Sequence, residues 1–189
     1  MQMEYQMALT ESTMLKLGTV APDFALRDVV TGKTVRRDDF RGQKGLLVMF
    51  ICTHCPYVKH IENGLAQLGS DYAGKLGIVA ISSNDAQNYP DDNPEGLKKQ
   101  AQKLGFMFPY LYDESQSVAR AFDAACTPDL YLFDKDFKLA YRGQFDGARP
   151  GNHIPVTGRD LRAALDTVLR GELPSTDQKA SIGCNIKWK

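Results

Sequence analysis

The segment Cys52-Thr53-His54-Cys55 sets two thiols one helical turn apart with an imidazole between them. It stands where an apolar run, residues 46–51, gives way to apolar residues at helical spacing, so the first sulfur is expected at a helix N-terminus. The helix dipole and the unpaired N–H groups of a first turn favour thiolate over thiol, and cysteines so placed have pKa values of roughly 3.5–7.5. Cys52 is therefore the candidate nucleophile. Cys55, further inside, is the candidate resolving thiol, because exchange with a disulfide passes through a mixed disulfide that a second thiol must release.

Other readings of the same residues are simpler. The pair could be two buried structural thiols or half of a zinc site. Zinc needs a second ligand pair, whereas Cys126, Cys184, His60 and His153 are single and scattered, so no metal is expected. His54 is either an exposed turn residue without a role or a group that stabilises the Cys52 thiolate and tunes its redox poise. Cys126, directly before Thr127-Pro128, and Cys184, between Gly183 and Asn185, are either packing residues or accessory thiols. Lys59 and His60 belong on a solvated helical face, and His153 is given no role.

A chain of 189 residues suits one domain with embellishments. Lys plus Arg (23) balances Asp plus Glu (23) with no long run of either sign, so neither nucleic acid nor an anionic membrane is an expected partner. Residues 1–17 lack the apolar core of a signal peptide, and no apolar run approaches the ~20 residues of a membrane span. A cytoplasmic protein is expected. In a reducing compartment, four cysteines argue for chemistry or metal rather than for a structural disulfide framework.

These thiols have to be positioned by the elements around them. Residues 46–51 are apolar without alternation, as in a strand covered on both faces. Val58, Ile61, Leu65, Leu68 and Tyr72 then recur at helical spacing, with Pro56 in the first turn, where its missing N–H costs little. Gly64 inside this helix points to a bend or a close contact. Residues 78–81 form a second buried strand. A polar loop, residues 83–93, leads to Asn93-Pro94, an N-cap and first-turn proline opening a helix that Gly105 closes. A strand at 109–112 and a short helix at 115–124 follow. Strands at 130–133 and 137–142 flank a turn, and a helix spans 157–170, with Thr157 and Asp160 approximating a capping box. Near the N-terminus, residues 26–30 and 34–36 flank the hairpin turn Thr31-Gly32-Lys33, and a short helix is expected at 10–15.

This order, with Cys-x-x-Cys at a helix start and Thr127-Pro128 before a strand, resembles the thioredoxin fold. The extended segment at 18–26, the inserted helices and Tyr112-Asp113 make it similar to the redoxin branch, which holds the alkyl hydroperoxide reductase and thiol-specific antioxidant proteins. The resemblance covers residues 18–169 and implies an α/β domain over 18–170: a central mixed sheet flanked by helices, with an N-terminal hairpin and an inserted helical crossover. Residues 1–17 form a lead-in, and 171–189 a tail packed on the domain. It also implies a cis-proline at Pro128, with Thr127 and Pro128 lining a groove for partner disulfides and thiols, of proteins or small molecules, and no organic cofactor. The sequence departs from the peroxidases of that branch. Where they carry Pro and Thr seven and three residues before the reactive Cys, this chain has Gly45 and Met49. Disulfide exchange needs neither, so thiol–disulfide oxidoreductase chemistry is the expected activity, thiol peroxidase the alternative, and a metal-binding module a third reading.

Overall fold

The computed structural model describes residues 8–189. Its centre is the pair of parallel strands β4 (Gly45–Phe50) and β5 (Gly77–Ser82), every residue of which is buried. Their lack of alternation has a direct cause. Leu47 and Met49 enter one apolar core while Leu46, Val48 and Phe50 enter another on the opposite face of the sheet. Seven strands make up this sheet in the order β3-β2-β6-β5-β4-β8-β9. The hairpin β2 (Ala25–Asp28) and β3 (Thr34–Arg36) pairs onto β6 (Tyr110–Tyr112), and the antiparallel pair β8 (Asp129–Asp134) and β9 (Leu139–Arg142) closes the other side.

Helix α1 (Pro56–Asp71) crosses from β4 to β5 and buries Val58, Ile61, Leu65 and Leu68. Each such fully buried aliphatic side chain contributes about 1.5–3 kcal/mol. Gly64 marks a close contact: a Cβ there would lie 3.0 Å from both Phe145 and Val156. Helices α2 (Pro94–Leu104) and α4 (Arg159–Leu169) share the core of α1, and α3 (Ser117–Ala121) joins the core on the other face. The Asn93 side chain caps α2 by accepting from Gly96 N at 2.8 Å, and Gly105, at φ 66°, ends it.

Three local expectations fail. Helix α3 is shorter than 115–124, because Gln116 and Asp123 on either side take left-handed backbone angles (φ 64° and 52°) that a right-handed helix cannot include. Thr157 and Asp160 form no capping box. The chain enters α4 one residue later, through Gly158 at φ 68°, and the Asp146 carboxylate accepts from Thr157 N and Gly158 N, both at 2.6 Å. Asp160 accepts instead from the Gln144 side chain. No helix forms at 10–15. Leu9–Glu11 is a strand, β1, whose backbone pairs with β10 (Ile182–Asn185), an outcome that saves so short a segment the cost of helix nucleation. Residues 1–7 of the expected lead-in lie outside the described residues.

Strand β10 pairs on its other side with β7 (Cys126–Thr127), giving a second sheet in the order β1-β10-β7. Beyond β10 the chain is tied down step by step. Ile186 N donates to Ala125 O, Lys187 N to the Asn84 side chain, and Lys189 N to the Gln116 side chain. The guanidinium of Arg120 lies 4.4 Å from the centre of the Trp188 ring. Among the described residues no helix is long and apolar enough to cross a membrane.

Candidate active site

Helix α1 begins at Pro56, so its N-cap is Cys55 (φ −68°, ψ 123°) and not Cys52. Proline at the first helical position makes its predecessor the cap. Cys52 sits three residues earlier in the connection from β4. Neither sulfur is exposed: relative accessibility is 1% at Cys52 and 0% at Cys55, and none of the four cysteines is in a disulfide.

The peptide bond between Thr127 and Pro128 is cis, and this segment faces the pair. Cys52 Sγ lies 3.5 Å from Thr127 Oγ1, and Cys55 Sγ lies 3.2 Å from the Thr127 carbonyl oxygen. The third neighbour comes from the far end of the chain, for Cys184 Sγ is 2.7 Å from Cys55 Sγ. Cys126 does not join this group. Side chains alternate along a strand, so with Thr127 facing Cys52 its neighbour faces away, and Cys126 Sγ turns to Pro128 O at 3.6 Å.

Electrostatics reverse the expected order of acidity. Contacts from the Cys184 thiol, then from the Cys52 thiol, hold Cys55 far below the usual thiol range, outweighing its burial, with the Val58 backbone adding to the effect. Burial, the Cys55 contact and the negative charge of Asp92 push Cys52 well up. Cys184 is pushed up by its contact with Cys55 and by burial. The thiolate of this group therefore rests on its middle sulfur, Cys55.

Sequence reasoning missed Asp92, in a short 3-10 turn, Pro90–Asp92, within the polar loop. It is fully buried. Its carboxylate accepts from Thr53 N (2.8 Å), Thr53 Oγ1 (2.6 Å) and Asn84 Nδ2 (2.9 Å), and it holds His54 Nδ1 at 2.5 Å. Burial alone would raise its pKa, but the His54, Thr53 and Asn84 contacts prevail and keep the carboxyl below its ordinary range. The signal was the pair Asp91 and Asp92 directly after Pro90, within the segment expected only as a polar loop over 83–93. His54 is thus no free turn residue: Asp92 anchors it and Tyr89 stacks on its ring at 5.4 Å between centres. Cys52, His54 and Asp92 also each offer one ligand atom within 4.8 Å of the others, a sulfur, nitrogen and oxygen set. Gln100 completes the surroundings, donating to Cys52 O at 3.2 Å.

The groove expected along Thr127 and Pro128 is occupied. Strand β10 fills it, with Cys184 opposite Thr127 and Asn185 opposite Cys126. Gly183 allows this through its missing side chain. It lies within β10, and a Cβ there would fall 1.9 Å from Thr127 O. Ser181 Oγ adds a bond of 2.6 Å to Pro128 O.

Comparison with known proteins shows the family and the fold. Residues 17–142 match the model of the AhpC/TSA family. The crystal structure of an uncharacterized conserved protein from Geobacillus kaustophilus is 55% identical, with a TM-score of 0.94 over 97% of each chain. Thiol-disulfide oxidoreductase ResA of Geobacillus thermodenitrificans is 31% identical over 137 residues, which are 71% of this chain and 73% of that protein. A thiol:disulfide interchange protein of the thioredoxin family from Chlorobium tepidum shares the fold, with a TM-score of 0.62 and 17% identity over 82% of this chain and 98% of its own. The fold is thioredoxin-like, a central mixed sheet flanked by helices.

Proposed function

The chain belongs to the AhpC/TSA family, and we propose that it is a thiol–disulfide oxidoreductase whose working pair is Cys52 and Cys55. The observation that carries this reading is the packing of both sulfurs of one Cys-x-x-Cys against a cis Thr127-Pro128 step. Its substrates are disulfides and thiols.

In the reduced chain Cys55 is held as the thiolate while Cys52 carries a proton. Once the site is open, Cys52 gives its proton to solvent and its thiolate attacks a partner disulfide. A Cys52–partner disulfide forms, and one partner thiolate leaves and takes up a proton from solvent. The Cys55 thiolate then attacks the Cys52 sulfur and releases the second partner thiolate. The chain now holds a Cys52–Cys55 disulfide, and the partner has gained two electrons. The reverse sequence oxidises a dithiol. Asp92 and His54 position the motif: the carboxylate fixes Thr53 N and the imidazole beside Cys52, and its charge keeps the Cys52 proton in place until a partner arrives. Access for a strand-like partner requires β10 to leave the Thr127 edge, since that edge is already paired.

Peroxidase chemistry is the weaker reading. Met49, at the position where the branch's peroxidases carry a hydroxyl, is fully buried in the apolar core. The two are separated by assaying reduction of a small disulfide by dithiothreitol beside consumption of hydrogen peroxide. Disulfide turnover that Cys52→Ser abolishes supports the proposal. Turnover of peroxide alone would replace it.

A further inference from the structure

We infer that Cys184 is a third redox residue, which takes over the disulfide from the Cys52–Cys55 pair by bonding to Cys55. The inference rests on the reading of that pair as a working dithiol and extends it to the C-terminal strand.

Three observations meet here. First, Cys55 Sγ and Cys184 Sγ are 2.7 Å apart, so roughly 0.7 Å of approach separates them from the 2.03–2.05 Å of a disulfide bond. Second, Cys55 is the sulfur that hydrogen-bonds with both others, Cys184 and Cys52. Passing a disulfide along three sulfurs requires the attacked atom to be common to the old bond and the new one, and here it is the middle one. Third, the chain holds Cys184 in place by regular structure. Strand β10 is paired on both edges, Leu9 opposite Cys184 on one side and Thr127 on the other. Gly183 gives up its side chain so that this strand can press on the carbonyl of the cis-proline step. A tail that only covered apolar surface would need neither the bare backbone at Gly183 nor a sulfur at the next position.

The step is an exchange without net oxidation. With Cys52 and Cys55 joined, the Cys184 thiolate attacks the Cys55 sulfur. The Cys55–Cys184 bond forms, the Cys52–Cys55 bond breaks, and Cys52 leaves as a thiolate that takes up the proton Cys184 gave up. The two oxidising equivalents now lie between α1 and β10, fastening the tail over the site, and Cys52 is a thiol again. Reduction follows the same path backwards: Cys52 attacks Cys55, Cys184 leaves, and the Cys52–Cys55 disulfide is presented to a reducing thiol. Cys126 takes no part, since its sulfur turns to Pro128 O.

The test is a disulfide map of the full chain. Reduced wild-type protein is titrated with glutathione disulfide, quenched in acid, alkylated in denaturant and digested. The expected product links Cys55 to Cys184 and leaves Cys52 and Cys126 alkylated. A Cys52–Cys55 link with Cys184 alkylated at every degree of oxidation would overturn the inference while leaving the oxidoreductase reading intact. A chain that forms no disulfide at any of these residues would sink both. The variant Cys52→Ser gives a second reading of the same contact: under diamide it is expected to lose two hydrogens in a Cys55–Cys184 bond. If both residues remained alkylatable in this variant, with its circular dichroism unchanged from wild type, the contact would not be a redox pair.

Discussion

Gly183 stands against the carbonyl of Thr127 so closely that a Cβ on it would come within 1.9 Å of the oxygen. An alanine there cannot be accommodated without β10 moving off the cis-proline edge, which is backbone and cannot yield as a flexible side chain would. Gly183→Ala is therefore expected to expose Cys52 and Cys55 and to raise their alkylation rate in the native protein at least several-fold, with a lower melting temperature. Unchanged alkylation would mean that β10 does not control access.

Asp92 supplies a second handle, because its charge acts on Cys52. The carboxylate contributes to holding the Cys52 proton on. Removing the charge with Asp92→Asn lowers the Cys52 pKa, so its thiolate forms at lower pH and reacts sooner. The alkylation rate of Cys52 in the native protein, followed by peptide mapping at fixed pH, should rise several-fold over wild type. An unchanged or lower rate would contradict the assignment.

Asp129 predicts how stability depends on pH. Burial raises its carboxyl from 3.8 to about 6, against hydrogen bonds from Ala125 N and Tyr131 that pull the other way. A folded-state value above the unfolded one means that the folded protein prefers the protonated acid. Its stabilising share is thus complete below pH ~4 and is lost as pH rises through ~6. The difference, about 2 pH units, corresponds to about 3 kcal/mol. Urea unfolding of wild type beside Asp129→Asn between pH 4 and 7 should show a fall in the wild type that the variant lacks. Parallel profiles would remove Asp129 as the cause.

The elements legible in the sequence were those with a local cause. Residues 46–51 announce a two-faced strand by composition, Asn93-Pro94 and Gly105 announce a helix by their backbone preferences, and the redoxin resemblance led to the cis bond before Pro128. What escaped notice depends on partners far along the chain. Leu9–Glu11 is a strand only because Ile182–Asn185 runs beside it. Asp146 replaces Thr157 at the head of α4 from outside the helix. Asp92 matters because folding brings it beneath His54 and Thr53, which a one-dimensional reading of a polar loop cannot show. Cys55 at the helix cap is a different case. Pro56 carried that information, and placing the helix start one turn too early assigned the favourable position to Cys52.

The central claim is that Cys52 attacks a disulfide and Cys55 resolves the product. Its most direct test is the variant Cys55→Ser, incubated with glutathione disulfide, freed of excess reagent, and weighed intact before peptide mapping. Cys52 should carry one glutathionyl group that persists until dithiothreitol is added, because the sulfur that would displace it is gone, and with it the atom that Cys184 meets at 2.7 Å. Absence of an adduct on Cys52 in the folded variant, or an adduct confined to Cys126 or Cys184, would contradict the account.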